Sequence, residues 1–274
     1  MNEELIKIEE SLSYIKSKSD FKPEYGIILG SGLKNLVNEI KIICEIPFAD
    51  IPDFPRTTVE GHGGSLIMGY ISDKPVVAMS GRFHYYEGYS ISQVTFPVRM
   101  MKVWGVKTLI VSNASGGINP EMEVGDIMLI TDHINLQPEN PLRGKNMDEL
   151  GPRFPDMLGT YNVEMINTAE NICKELKIRF CKGVYVGVQG PNFETPAEYK
   201  FFHLMGGDAV GMSTVPEVLV AKHMGLRIFA LSVISDIGYP TDKIGEISHQ
   251  YVLQKASEAE PKLTSIIKEL LKRD

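Results

Sequence analysis

Cysteine is scarce in this sequence. Cys44, Cys173 and Cys181 are the only three in 274 residues, an odd count without metal-ligand spacing, which argues against a disulfide framework and leaves a reduced, cytoplasmic setting as the simple expectation. Long apolar runs are missing as well: no stretch approaches a membrane span. Residues 1–20 mix Glu, Lys and Ser with isolated apolar residues, unlike the continuous apolar core of a signal peptide. An excess of positive charge is also lacking. With a net charge of -7, the chain has no general field for nucleic acid or an anionic membrane, so any anion must be captured locally. No internal repeat, low-complexity tract or hinge-like linker appears, and neither an activated Ser-His-acid arrangement nor a His-Glu-x-x-His metal spacing is present.

What is present is the composition of a globular protein, 43% apolar and 23% charged, with length for one large core; a single domain over residues 1–274 is expected. Leu5, Ile8, Leu12 and Ile15 recur at helical spacing and predict a first amphipathic helix. A short strand at residues 25–29 runs into Gly30-Ser31-Gly32, after which Leu33, Leu36, Val37 and Ile40 predict a helix. Residues 65–71 and 75–80 read as a hairpin, residues 90–104 as a helix closed by Gly105, and residues 108–112 as a buried strand ending in a small-residue turn, Asn113-Ala114-Ser115-Gly116-Gly117. Further strands are expected at residues 126–131, 183–188, 208–212 and 226–235, and helices at 161–176 and about 248–272. Between them, residues 135–159 carry four prolines in a long irregular stretch of the kind used for function or interfaces. Thr195-Pro196-Ala197-Glu198 and Thr214-Val215-Pro216-Glu217 both match a capping box, which assigns Glu198 and Glu217 to helix ends. This alternation predicts an α/β domain, with a central mixed, partly parallel sheet flanked by helices.

In such sheets ligands gather where strands end. Ser31, Arg82, Ala114, Glu194, Ser213 and Asp236 all fall at or just after expected strand ends. The segment Gly81-Arg82-Phe83-His84-Tyr85-Tyr86-Glu87-Gly88 combines a fixed cation, an imidazole and two phenols between glycines, and is by itself either an anion site or a solvated loop. Gly30-Ser31-Gly32 is either an ordinary tight turn or a place where helix-start amides meet a phosphate. It is not a dinucleotide fingerprint, because the third glycine and a ribose-binding acid are absent. His62, in Gly61-His62-Gly63-Gly64, is a loop histidine that could swing onto a ligand. Phe193 beside Glu194 suits a planar heterocycle. His133, His203 and His223 read as structural or surface residues.

Taken in order, Leu29-Gly30-Ser31-Gly32-Leu33, the Gly81–Gly88 segment, Asn113-Ala114-Ser115-Gly116-Gly117, Gly190-Pro191-Asn192-Phe193-Glu194-Thr195 and Gly211-Met212-Ser213-Thr214-Val215-Pro216-Glu217 resemble the trimeric purine nucleoside phosphorylases over nearly the whole chain. The resemblance implies reversible phosphorolysis of purine ribo- or deoxyribonucleosides to the free base and (deoxy)ribose 1-phosphate, with no cofactor and inorganic phosphate as co-substrate. Ser31, His62, Arg82, His84, Ser213 and the Ala114 amide would then hold phosphate. Tyr86, the Met212 backbone and His249 would take the sugar hydroxyls, and Phe154 would close the sugar site of a neighbouring subunit in a homotrimer. Phe193, Glu194 and Asp236 would meet the base, with His84, Glu194 and Asp236 forming the catalytic set.

One departure concerns specificity. Ser235-Asp236 stands where 6-oxopurine-specific members carry Thr-Asn; an ionised aspartate only accepts hydrogen bonds and suits a 6-amino group, whereas a protonated one donates. A 5′-methylthioadenosine phosphorylase is the near alternative, opposed by His249, which suits a free 5′-hydroxyl. A non-catalytic nucleoside or phosphate sensor is the distant one.

Overall fold

The computed structural model describes residues 3–56 and 64–274, so His62 and its glycine-rich segment lie outside the described residues. In chain order the elements are α1 (Glu3–Lys18), β1 (Tyr25–Ile28), β2 (Lys41–Pro47), β3 (Ser65–Ile71), β4 (Lys74–Met79), α2 (Ile91–Trp104), β5 (Thr108–Gly117), β6 (Ile127–Asn135), α3 (Val163–Glu175), β7 (Phe180–Gly187), α4 (Pro196–Leu204), β8 (Ala209–Gly211), α5 (Val215–His223), β9 (Arg227–Ile237) and α6 (His249–Arg273). The strands form one nine-stranded mixed sheet in the order β2-β3-β4-β1-β5-β8-β7-β6-β9, and β9 pairs back onto β5. That last pairing closes β5, β8, β7, β6 and β9 into a barrel, which removes the sheet edge on that side.

The local reasons are ordinary ones. β1, β5 and β9 are buried on both faces, and each has a parallel neighbour; their apolar runs are what a covered parallel sheet requires. The turn between β3 and β4 places Ser72 and Asp73 at positive φ (48° and 62°), the conformation that lets two antiparallel strands keep their twist. Ser90 caps α2 by accepting from the Gln93 amide at 3.3 Å, and Gly105 ends it at φ 120°. Helices α1, α2 and α5 pack in succession, and α6 lies along β9 against α3. Leu263, Ile266, Ile267 and Leu271 of α6 are fully buried, each contributing about 1.5–3 kcal/mol by leaving water.

Three local expectations are corrected. Residues 33–40 form no α-helix: after the glycine turn comes a short 3-10 turn, Asn35–Glu39, and then β2, an antiparallel edge strand. Its alternation is poor because Ile42 and Ile43 are both exposed, so the strand carries little periodic signal. Asn113–Gly117 is not a turn but the continuation of β5, paired with β9 through Ile237. Thr214–Glu217 is not a capping box, since Thr214 sits at φ 72° and makes no side-chain cap. By contrast, Thr195 and Glu198 do form the reciprocal box at the start of α4.

Candidate active site

The site arises where the parallel strands stop at different heights. β1 ends opposite Val111 while β5 continues to Gly117. The space above β1 is filled by the Gly30–Gly32 turn, in which Gly32 takes φ 74° and Gly30 approaches β5 so closely that a Cβ would lie 2.8 Å from Asn113 Cα. A cavity of about 310 Å³ opens there, lined by Ser31, Arg82, His84, Tyr86, Ala114, Phe193, Glu194, Met212, Ser213, Asp236 and His249 among others. Residues that stand far apart in the chain therefore meet in one pocket. Of the remaining candidates, His62 is not described, and Phe154 stands away from this cavity on the surface, 87% exposed beside Leu158 at 85%. His133, His203 and His223 are structural: they meet Tyr161 Oη at 3.0 Å, the Tyr239 ring and Asn146 Oδ1 at 3.2 Å respectively.

At one end the pocket is cationic. Arg82 is 2% exposed, and its Nη1 donates to Ser213 Oγ at 2.5 Å and Thr214 Oγ1 at 3.2 Å. Its Nε faces Glu217 Oε1 at 3.5 Å, and its Nη2 is buried with no hydrogen-bond partner among the described residues. A buried donor left unpaired costs about 1–3 kcal/mol, more when charged, a debt that a bound anion removes. Glu217, itself buried, is thus the countercharge that lets a guanidinium sit inside the protein. Thr214, a β-branched residue in the left-handed region, is strained there. It is held by Arg82 and by Asn113 Nδ2, which donates to Thr214 Oγ1 at 2.8 Å. Asn113 is braced in turn by Ser232 Oγ at 2.5 Å, so a polar chain runs beneath the pocket floor.

His84 places Nδ1 3.0 Å from Glu87 Oε1, and the same oxygen accepts from the His84 amide at 2.8 Å. With Nδ1 turned to the carboxylate, Nε2 is left toward the pocket. Burial is the main cause holding the His84 pKa below the usual histidine range, with the Glu87 hydrogen bond opposing it. The ring is thus favoured in its neutral form beside the Glu87 carboxylate. The Tyr86 ring stacks on His84 with centroids 4.7 Å apart, and burial pushes its phenol up to about 12, so it remains a neutral donor.

The opposite end is acidic. Asp236 is 6% exposed; Ser235 Oγ donates to its Oδ1 at 2.7 Å, and burial raises its pKa. Glu194 is pushed up to about 7, first by burial and further by the charge of Asp236, against the pull of its hydrogen bonds. Gly116, opposite Asp236 in the β5–β9 register, leaves room for that carboxyl: a Cβ there would sit 2.9 Å from Oδ2. The two acids and Phe193 thus line one end of the cavity that Arg82 lines at the other.

Sequence reasoning did not find Glu217 as the partner of Arg82, nor Glu87, Thr214 or Asn113 as supports. The first was hidden by a capping-box pattern and Thr214 and Asn113 by pairings distant in the chain, whereas the Glu87 contact with His84 is local and was legible at i,i+3.

A pocket with an anion socket at one end and two carboxyls at the other, set where parallel strands end, defines an enzyme that handles an anion together with a planar, hydrogen-bonding ligand. Residues 24–272 match the phosphorylase superfamily, and the chain belongs to that family. It is 52% identical over 230 residues to purine nucleoside phosphorylase 1 of Bacillus subtilis, spanning 84% of this chain and 85% of that protein. Among solved structures, isoform 2 of Schistosoma mansoni purine nucleoside phosphorylase, in complex with cytosine and ribose-1-phosphate, superposes with a TM-score of 0.92 at 40% identity, covering 98% of this chain and 96% of that one. Schistosoma mansoni purine nucleoside phosphorylase in complex with adenosine gives a TM-score of 0.93 at 38% identity, covering 98% and 97%.

Proposed function

We propose that this protein is a purine nucleoside phosphorylase that cleaves purine (deoxy)ribonucleosides with inorganic phosphate, giving the free base and (deoxy)ribose 1-phosphate. The observation that carries this reading is the buried Arg82 with its unpaired Nη2, in the same cavity as the Glu194–Asp236 pair. Phosphate binds Arg82, Ser31, Ser213, His84 and the Ala114 amide, with His62 a further ligand from the glycine-rich segment. The sugar bridges the two ends, with Tyr86, the Met212 backbone and His249 at its hydroxyls. Phe193 packs on the base.

A phosphate oxygen forms its bond to the anomeric carbon as the bond from that carbon to N9 breaks. The released electron pair passes to the purine, which takes up a proton at N7 from Asp236, in its protonated form, or from solvent. The sugar carries oxocarbenium character in between, so the anion beneath it and the hydrogen bonds to the departing base are worth most in the transition state. Glu194 accepts from N1–H of a 6-oxopurine. Asp236, when ionised, accepts from a 6-amino group, so adenosine is cleaved better than by an asparagine-bearing relative.

Phe154 and Leu158, both within the irregular 135–159 stretch, are large apolar residues left exposed. This supports a homotrimer in which Phe154 covers the sugar of a neighbour. Light scattering gives the mass, and Phe154→Ala raises KM for the nucleoside if the contact is made. The decisive test of the function is hypoxanthine release from inosine with and without phosphate. Release that needs phosphate supports the reading, while phosphate-independent release identifies a hydrolase and no release a binding protein.

A further inference from the structure

Behind the base end of the pocket lies Tyr199, on α4, five positions after Glu194. It does not line the cavity. Its ring is 1% exposed in a small apolar cluster with Ile118, Val186, Phe202 and Val210, and it passes so close to β9's exit that a Cβ on Gly238 would meet it at 2.3 Å. The ring edge also reaches Gly116, where Asp236 Oδ2 and Tyr199 Cε1 lie 2.9 and 3.7 Å from the same Cβ position. Among the described residues the hydroxyl is buried without a partner at regular hydrogen-bond geometry, and the Glu194 side chain is the one it approaches as a donor. A phenol oxygen set in an apolar cluster needs a partner, and the polar groups on that side are the two carboxyls. Burial, then the charge of Glu194, then that of Asp236, drive the Tyr199 pKa far above its usual value, so the phenol is a permanent donor.

We propose that Tyr199 is a specificity-setting positioning residue, whose hydroxyl donates to the Glu194 carboxylate and so biases the pair toward an ionised Glu194 facing a protonated Asp236. The inference rests on the function proposed above. Both carboxyls line the same cavity, and the negative charge of Asp236 adds to the burial that favours a proton on Glu194. With a proton on Asp236 and Glu194 ionised, the pair offers an acceptor to N1–H and a donor to N7 of a 6-oxopurine. With a proton on Glu194 and Asp236 ionised, it offers a donor to N1 and an acceptor to the 6-amino group of adenine. The Tyr199 hydroxyl stabilises only an ionised Glu194, and so favours the first arrangement. Glu198 on the same helix is a further negative neighbour of both Glu194 and Tyr199, but it is committed to the helix cap through Thr195. The 241–243 turn packed against α4 carries Asp242 and Lys243, both exposed.

The test is the ratio of kcat/KM for inosine to that for adenosine, measured at pH 7 in the unaltered protein and in Tyr199→Phe, which removes only the hydroxyl. Loss of one hydrogen bond to a charged group should lower the ratio about tenfold, with inosine cleavage falling and adenosine cleavage equal or faster. An unchanged ratio, or an equal drop for both substrates, overturns the inference and leaves Tyr199 a packing residue. Tyr199→Met, which fills much of the space with an adaptable side chain, reads the same ratio if the Phe variant does not fold. Failure of the unaltered protein to release hypoxanthine in the presence of phosphate overturns the function itself. Phosphate-dependent release with an unmoved ratio overturns only the role of Tyr199.

Discussion

Replacing Asp236 by asparagine separates the two ways in which the base end can read a purine. Asp236 is almost fully buried, with Ser235 donating to one oxygen and the other lying against Gly116. Asparagine has the same shape, so the backbone and cavity should be preserved. What changes is chemistry: the amide donates to O6 or N7 but can no longer present a full negative charge to a 6-amino group. A hydrogen bond to a charged group is worth about 1.5–3 kcal/mol in a dry site, and each 1.4 kcal/mol is a factor of ten. The ratio of kcat/KM for inosine over adenosine should therefore rise by about one to two powers of ten. Chromatographic separation of hypoxanthine and adenine from a mixed-substrate reaction gives the ratio directly. A ratio that stays the same in the variant would refute the assignment of Asp236 to the base.

Arg82→Gln leaves Glu217 buried without its countercharge, which costs about 3–5 kcal/mol of stability and removes the anion socket. A lower melting temperature, with phosphate-dependent turnover down at least about a hundredfold, is expected by calorimetry and by initial rates. Glu194→Gln should act in opposite directions on activity and stability. A carboxyl whose folded pKa is raised from 4.5 to about 7 destabilises the fold above that value, and the penalty vanishes as pH falls toward its unfolded pKa. The variant should thus be more stable than the parent by up to about 3 kcal/mol at pH 8 and equal to it near pH 4.5, while losing inosine cleavage; urea titrations at the two pH values check the sign. Ile267→Ala, in the fully buried face of α6, should cost about 2–5 kcal/mol without altering base preference.

Much of the fold was legible because its signals are local. The Thr195–Glu198 box, the Ser90 cap and Gly105 mark their helices through chemistry within a few residues, and the β3–β4 hairpin announces itself by a polar turn between apolar runs. β2 was missed because an edge strand with solvent on one side needs no strict alternation. The barrel closure was missed because β9 pairing with both β5 and β6 is a long-range fact with no local trace. Asn113–Gly117 was misread for a physical reason. Gly116 and Gly117 are small because Asp236, the Tyr199 ring and Ile234 crowd β5 there, and small residues in sequence look like a turn. The candidate pocket residues were legible as strand-end motifs, but their supports were not: Glu217 looks like a cap until Arg82 is seen beside it, and Tyr199 looks like one more apolar position of α4.

The pairing of β5 with β9 also acts as a ruler. Ala114, at the anion end, and Gly116, facing Asp236 at the base end, are two residues apart on one strand, with the register shift lying just before Gly116. At about 3.3 Å per residue the strand fixes roughly 7 Å between the two ends, irrespective of side-chain rotamers. If a sugar bridges the two ends as proposed, its gauge is written in the backbone. Side-chain changes around the pocket can retune which base is taken, but admitting a longer or shorter bridge between phosphate and base would require moving the bulge itself.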